Sequence, residues 1–395
     1  MHLEQQISDA IASQNALTQM VTSKMSHLES RINGFIDRWG VDGYTVLEVG
    51  ACKPYATIAD AWYALAGKAI KSDILIKVAD GDYACNQIWL AHQPFGSRIR
   101  IEGNLNNPQN CILRMTPDAD RYSYGVWLER QCLAGFSGFT IVGTQTAQHW
   151  TYRGLLLTRQ SHLYSTPGTL RFEQCGVEVL NDSYLEAKEM RINDCRGSSI
   201  SAQVRAIARV ENAIITGPSC SAQYALPNGS NAVPYGILVS RDASLIADRS
   251  RIANVRMGLY ASIHSYAECD EILVNNVDVG VAAYSDSMIY SRAEPDVANC
   301  AKVSNARMGF RAWNGSRLFA AGSAVENVQQ GYHADDDCFM NAYQSRCINV
   351  STMGYTAING SQIDAGDTAG RFVNTPNRYN LPANTVGAVN AILYY

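Results

Sequence analysis

The sequence predicts an all-β chain wound as a right-handed parallel β-helix, and three observations carry that fold class. Six glycines, Gly236, Gly258, Gly280, Gly309, Gly331 and Gly354, recur every 22 residues apart from one step of 29 and one of 23. Apolar or small residues return at one, three, seven, nine and eleven positions after each glycine. Asparagine stands four residues before the next glycine at Asn254, Asn276, Asn305 and Asn327, and five before it at Asn349. A repeat of this length is one turn of a solenoid, because a single turn cannot bury its own apolar side and must stack on its neighbours.

The first strand of each coil begins just after the glycine. Ile237, Leu259, Val281, Phe310, Tyr332 and Tyr355 are followed two residues on by Val239, Ala261, Ala283, Ala312, Ala334 and Ala357, the period of two that a strand requires. A corner follows, and the second strand turns Leu245, Ala267, Ile289, Leu318, Met340 and Ile363 inward. The third strand ends at the asparagine, whose side chain bonds local backbone and tolerates the left-handed region. Gly125, Gly154, Gly176 and Gly197 continue the pattern upstream, so that roughly ten coils fill residues 125–366.

Before the regular coils, Leu3, Ile7, Ala10, Gln14, Leu17 and Val21, then Met25, Leu28, Ile32 and Phe35, alternate steps of four and three with one extra step of four. That is a coiled-coil seam with a stutter, and it predicts self-association, most simply as a parallel homotrimer. Gly40 and Gly43 break the helix. A second helix begins at Thr57, with Asp60 placed to complete a capping box, and its expected task is to cover the open end of the solenoid. Ile74–Val78, Ile88–Leu90 and Ile99–Ile101 read as early strands. The chain thus divides into an attachment helix (1–40), a capping helix with irregular first coils (41–120), the regular β-helix (121–370) and a tail (371–395).

The net charge of −4 and a pI near 6.0 give no basic stripe for a phosphate backbone, which argues against nucleic acid as a partner. No apolar run is long enough for a membrane span, and the acidic, polar N-terminus does not read as a signal peptide. The eleven cysteines form no C-x-x-C pair and read as small core residues. No cofactor and no metal is expected: Asp335-Asp336-Asp337 offers carboxylates of the kind Ca²⁺ takes, but lacks an ion-binding loop pattern and reads as a solvated turn.

Residues two and four after each glycine face outward. Tyr260, Tyr284, Arg311, Trp313, His333 and Asp335 therefore form one surface patch over consecutive coils, a set suited to sugars, whose C–H faces lie on aromatic rings while fixed polar groups read the hydroxyls. The same residue types also suit a subunit interface. The second strand offers a rival outer face of Tyr266, Met288, Arg317 and Phe339 beside Glu268, Tyr290, Phe319 and Asn341. For bond cleavage, Asp335 with Asp337, or Glu268 with Asp270, are the carboxylate pairs close in sequence. Interruptions at 143–153 and 217–235, carrying Trp150, Tyr152, Tyr224 and Tyr235, emerge at one corner and suit the walls of a groove. A further insertion, around Glu294-Pro295-Asp296, leaves from another corner.

Two stretches carry a resemblance. Tyr55–Leu65, followed by Val78-Ala-Asp-Gly-Asp-Tyr83 and His92–Gly103, resembles the opening of the pectate-lyase-like β-helices of bacteriophage tailspikes and tail fibres. Tyr379–Ile392 is similar to the Pro-x-x-Asn-Thr-x-Gly-Asn tail that closes some of them, with Ala388 in place of the second Asn. The resemblance implies a homotrimer in the phage tail that docks on other tail or baseplate proteins through its N-terminal helix. It also implies binding, and in some members cleavage, of a bacterial surface polysaccharide. A chain assembled in the host cytoplasm and released by lysis needs no export signal. A purely structural spike is the remaining alternative.

Overall fold

The computed structural model describes residues 2–41, 43–116, 124–144, 153–218, 224–225, 231–232, 234–292, 300–366, 372–379 and 392–394. It is mostly β, a long parallel, solenoid-like stack preceded by one long helix. Strands pair in parallel with the equivalent strand one coil later. Tyr260 lies opposite Ala282, which lies opposite Arg311, which lies opposite His333. We call the strands that follow the glycines the first ladder, running from Tyr124–Glu129 to Met353–Ala357. The second ladder is a separate ten-stranded sheet that includes His162–Tyr164 and Gln362–Asp364. The third runs through Leu170–Glu173, Arg191–Asn193 and Arg251–Ala253, and over Leu273–Tyr284, Lys302–Trp313 and Ala324–Asp335 it continues without a break into the first.

The inward columns are those the periodicity predicts. Leu259, Ala261, Ala267, Cys269, Val281 and Ile289 are fully buried in one continuous core. Phe310, Tyr332 and Tyr355 stack inside it at centroid spacings of 5.2 and 5.0 Å, their planes nearly parallel. Burying a tyrosine hydroxyl is unfavourable without a partner. Here Ser323 Oγ lies 3.0 Å from Tyr332 Oη, and Ser345 Oγ 2.6 Å from Tyr355 Oη. Serines seven residues after the glycines form a second internal device: the Ser265 amide donates to Ser287 Oγ at 3.2 Å, and the Cys338 amide to Ser361 Oγ at 3.1 Å.

The corners explain the two marker residues. Asn254, Asn276, Asn305, Asn327 and Asn349 sit at φ between 51° and 59°, and their amides bond along the stack: Asn276 Nδ2 to Asn254 Oδ1 at 2.7 Å, Asn349 Nδ2 to Asn327 Oδ1 at 2.8 Å. The glycines serve close approach instead. A Cβ on Gly309 would lie 2.5 Å from Val325 Cγ1 and 2.6 Å from the Gly331 carbonyl oxygen. One expected member of the column is displaced. Gly197 does not start a strand; Val177 pairs with Ile200, so the buried Ser199 occupies the glycine position of that coil.

At the N-terminal end the stack starts earlier than the periodicity suggests. Thr45–Val49 pairs with Ile74–Val78, which pairs with Ile99–Glu102, and Gly81–Cys85 pairs with Cys111–Met115. Helix α1 (His2–Trp39) spans 38 residues, about 57 Å at 1.5 Å per residue. Helix α2 (Ile58–Tyr63) carries the expected capping box, with the Asp60 amide donating to Thr57 Oγ1 at 3.1 Å and the Thr57 amide to Asp60 Oδ2 at 3.0 Å. Its buried face, Ile58, Ala61 and Trp62, joins the solenoid core against the earliest strands, and Trp62 Nε1 donates to the Ala91 carbonyl at 3.2 Å. Along α1, Ile7, Ile11, Leu17, Val21, Met25, Leu28 and Ile32 are each at least 50% exposed. The side chains of Leu3, Ala10 and Phe35 lie outside those described.

Candidate functional site

Parallel register places the six predicted ligand residues side by side on the outer face of the first ladder. Tyr260 pairs with Ala282, Arg311 and His333 in one column, and Ser262 with Tyr284, Trp313 and Asp335 in the next. Strand spacing of about 4.8 Å brings the rings into contact. Tyr260 stacks on Trp313 at 5.9 Å, and Tyr284 meets Trp313 at 4.9 Å. Tyr235 extends the row, stacking on Tyr260 at 5.6 Å. The sequence reading placed Tyr235 in a loop; as the residue just before Gly236 it begins an outward column that continues with Met257, Val279, Met308 and Gln330.

The patch is drier than an ordinary outer face. Val279, Ala282 and Met308 form a small external apolar cluster with Met257, Tyr260 and Trp313 packed on it. Burial, with Tyr235 and Tyr284 adding to the rise, pushes the Tyr260 hydroxyl up to about 12. Arg311 lays its guanidinium over the Trp313 ring, 4.3 Å from the centroid. Its own desolvation, with Arg307 nearby, lowers its pKa against the pull of Asp335. His333 is only 8% exposed; desolvation first and Arg311 second lower its pKa, which favours the neutral ring. Arg311 Nε, His333 Nδ1 and Gln330 Oε1 are buried and have no hydrogen-bond partner among the described residues.

The neighbouring charges are satisfied. Arg307 makes a bidentate pair with Asp278 at 2.7 and 3.2 Å. Asp335 accepts from Asn359 Nδ2 at 2.7 Å. Asp337 is a corner residue at φ 59°, following Asp336 at φ 60°, and a Cβ on Gly360 of the next coil would lie 2.0 Å from its Oδ1. The Asp335 and Asp337 pair therefore joins a strand residue to a turn residue already packed against its neighbours.

Upstream on the same face the sequence reading missed Glu178, two residues after Gly176. It is 3% exposed and accepts from Arg153 Nη2 at 2.8 Å and from Gln203 Nε2 at 3.3 Å. Burial raises its pKa against the attraction of Arg153.

The second ladder presents its own aromatic row. Tyr266 lies 5.7 Å from Tyr290, Tyr290 stacks on Phe319 at 4.5 Å, and Phe339 follows at 6.0 Å. Met288 and Arg317 share the outer column of Tyr266 and Phe339, and Asn341 lies next to Phe319. At its edge, Glu268 and Asp270 come together with Asp248 of the preceding coil, each offering an oxygen within 4.8 Å of the others. The Asp270 amide donates to Asp248 Oδ1 at 2.9 Å and the Arg292 amide to Asp270 Oδ1 at 2.7 Å. Burial, together with the neighbouring acids and against the Asp270 amide bond, holds Asp248 above its ordinary value. Asp248 stands twelve residues after Gly236, as Asp270 does after Gly258, so a column taken one place further would have included it.

Of the corner loops, Tyr224–Ala225 pairs antiparallel with Asn231–Ala232. Trp150, Tyr152, the Glu294-Pro295-Asp296 insertion and most of the Tyr379–Ile392 motif lie outside the described residues. No helix among the described residues is long and apolar enough to cross a membrane. No family model matches the chain, and no curated protein is similar to it.

Proposed function

We propose that this chain is the rod of a homotrimeric attachment protein of a bacteriophage tail, which holds a bacterial surface polysaccharide against the outer face of the first ladder. One observation carries the binding role: Tyr235, Tyr260, Tyr284 and Trp313 stack in a row on a rigid ladder, with Arg311, Ser262 and Asp335 beside them. Flat apolar rings next to fixed polar groups are what a sugar chain requires. Rings held by strand register lose little freedom when the glycan arrives.

The virion context rests on the resemblance carried by the stretches within Tyr55–Gly103 and by Tyr379–Ile392. Trimerisation is supported by α1, whose apolar residues are exposed along its length; three parallel copies would bury them as a coiled coil. A right-handed winding follows the rule for parallel crossovers.

The test is adsorption of the purified chain to a panel of encapsulated bacteria, with molar mass followed by light scattering. Tyr284→Ala with Trp313→Ala should abolish adsorption and keep the trimer mass. A variant that adsorbs like the parent would remove the patch from the site, and one that falls to monomer would assign this face to the subunit interface.

The alternative with a specific observation behind it is a depolymerase acting at Asp248, Glu268 and Asp270. Their closeness suits the short carboxyl separation of retaining hydrolases, about 5 Å. Shortened oligosaccharides released by the parent and not by Glu268→Gln would favour it.

A further inference from the structure

We infer that the polysaccharide held on the first ladder is anionic, and that Arg311, stacked on Trp313, is the residue that receives its negative group. The inference rests on the glycan-binding reading above and narrows it to a chemical class. It starts from a charge inventory. On this face Arg307 is neutralised by Asp278, and upstream Arg153 is neutralised by Glu178. Asp335 is engaged by Asn359. Arg311 has no ion pair among the described residues, and its Nε has no hydrogen-bond partner.

A guanidinium in that position is unfavourable for the free protein. It is half-buried beside the apolar cluster of Val279, Ala282 and Met308, and it pays for desolvation without an ion pair, the more distant pull of Asp335 and Asp278 being outweighed by burial and by Arg307. The Trp313 ring 4.3 Å below offers a cation–π contact and fixes the plane of the fork. It leaves the guanidinium edge as the group still able to bind. His333, almost wholly buried and lacking a partner at Nδ1, adds a second unmet polar group one strand away. It cannot supply the missing negative charge.

An anion arriving at Arg311 meets a donor with no partner among the described residues to displace, in surroundings of low dielectric where the attraction is stronger than in water. A neutral sugar would bury the same charge and leave it unmatched. Two kinds of glycan carry the required chemistry: those with a carboxylate on the sugar and those joined by phosphodiesters.

Affinity electrophoresis of the full chain distinguishes them, using gels cast with hyaluronate or polygalacturonate, with a phosphodiester-linked teichoic acid, or with neutral dextran or mannan. The expected result is retardation by an anionic gel only, with the carboxylate or phosphate arm naming the anion. Arg311→Ala should weaken it about ten- to hundredfold, the range of one charge-assisted contact. Arg311→Lys, which keeps the charge but loses the fork, should fall between. Unchanged light scattering and circular dichroism establish that the variants are folded. Retardation by dextran or mannan, equal in parent and Arg311→Ala but lost in Trp313→Ala, would overturn the anion inference and leave the glycan reading in place. Retardation by none of the gels would overturn both.

Discussion

Replacing Asn327 tests what the asparagine corner contributes. This residue sits at φ 54° between the third and first strands of its coil. It donates to Asn305 Oδ1 at 3.3 Å and accepts from Asn349 Nδ2 at 2.8 Å. Both bonds are exposed, so each is assigned about 0.5 kcal/mol, the low end for a protein hydrogen bond. Holding alanine in the left-handed region adds about 1–2 kcal/mol, for a total near 2–3 kcal/mol in Asn327→Ala. Glycine loses the same two bonds but takes the conformation freely, and its extra unfolded-chain entropy adds about 0.5–1 kcal/mol, giving about 1.5–2 kcal/mol. Asn327→Asp keeps the conformation and the acceptor and loses only the longer bond, about 0.5 kcal/mol. Urea unfolding followed by circular dichroism, at one protein concentration because assembly shifts apparent stability, should rank the variants alanine, glycine, aspartate in decreasing cost. Equal losses in the alanine and aspartate variants would show that the backbone conformation is not what the asparagine supplies.

Two further outcomes follow from the packing of the core and of the outer face. Gly309→Ala should destabilise by about 1–3 kcal/mol in urea unfolding through overpacking; adding Val325→Ala should recover part of the loss, since it removes the 2.5 Å clash but not the 2.6 Å approach to the Gly331 oxygen. His333 has its pKa lowered by burial and by Arg311, so the folded state favours the neutral ring. The stability this contributes is present above the unfolded value of about 6.5 and is lost as pH falls through the lower folded value. Thermal melts of the parent should therefore fall more steeply below about pH 6.5 than those of His333→Gln, and parallel curves would contradict the assignment.

Much of the fold was legible because a solenoid converts sequence spacing directly into neighbourhood. Tyr260, Arg311 and His333 are 51 and 22 residues apart, yet fixed registers put them in one column. Where the spacing fails, the reading fails with it. Ser199 takes a glycine's place because the strand starts two residues later than Gly197 would set it, and Thr45–Val49 has a helix between itself and its partner and no marker glycine in register with the later column. The outer patch was legible in composition but not in burial. Ala282 and His333 lie in an outward column and are nevertheless buried, Ala282 under the cluster on which Met257, Tyr260 and Trp313 pack, and a list of columns carries no side-chain direction. Glu178 and Asp248 had a positional signal all the same, Glu178 in the outward column two after Gly176 and Asp248 in the column twelve after Gly236; what spacing lacks is the burial that sets them apart.

The position of α2 bears on how the stack ends. A prism of equivalent coils has no built-in stop, and an unprotected terminal coil offers unpaired backbone groups to any similar edge. With Trp62 anchored to Ala91 and its helix packed into the apolar interior, the apolar core at this end is covered by the chain itself, while Thr45–Val49 stands at the sheet edge. Removing the six residues of α2 would bare the core neighbours of Ile58 and Trp62, an apolar end face of the kind on which head-to-tail association starts.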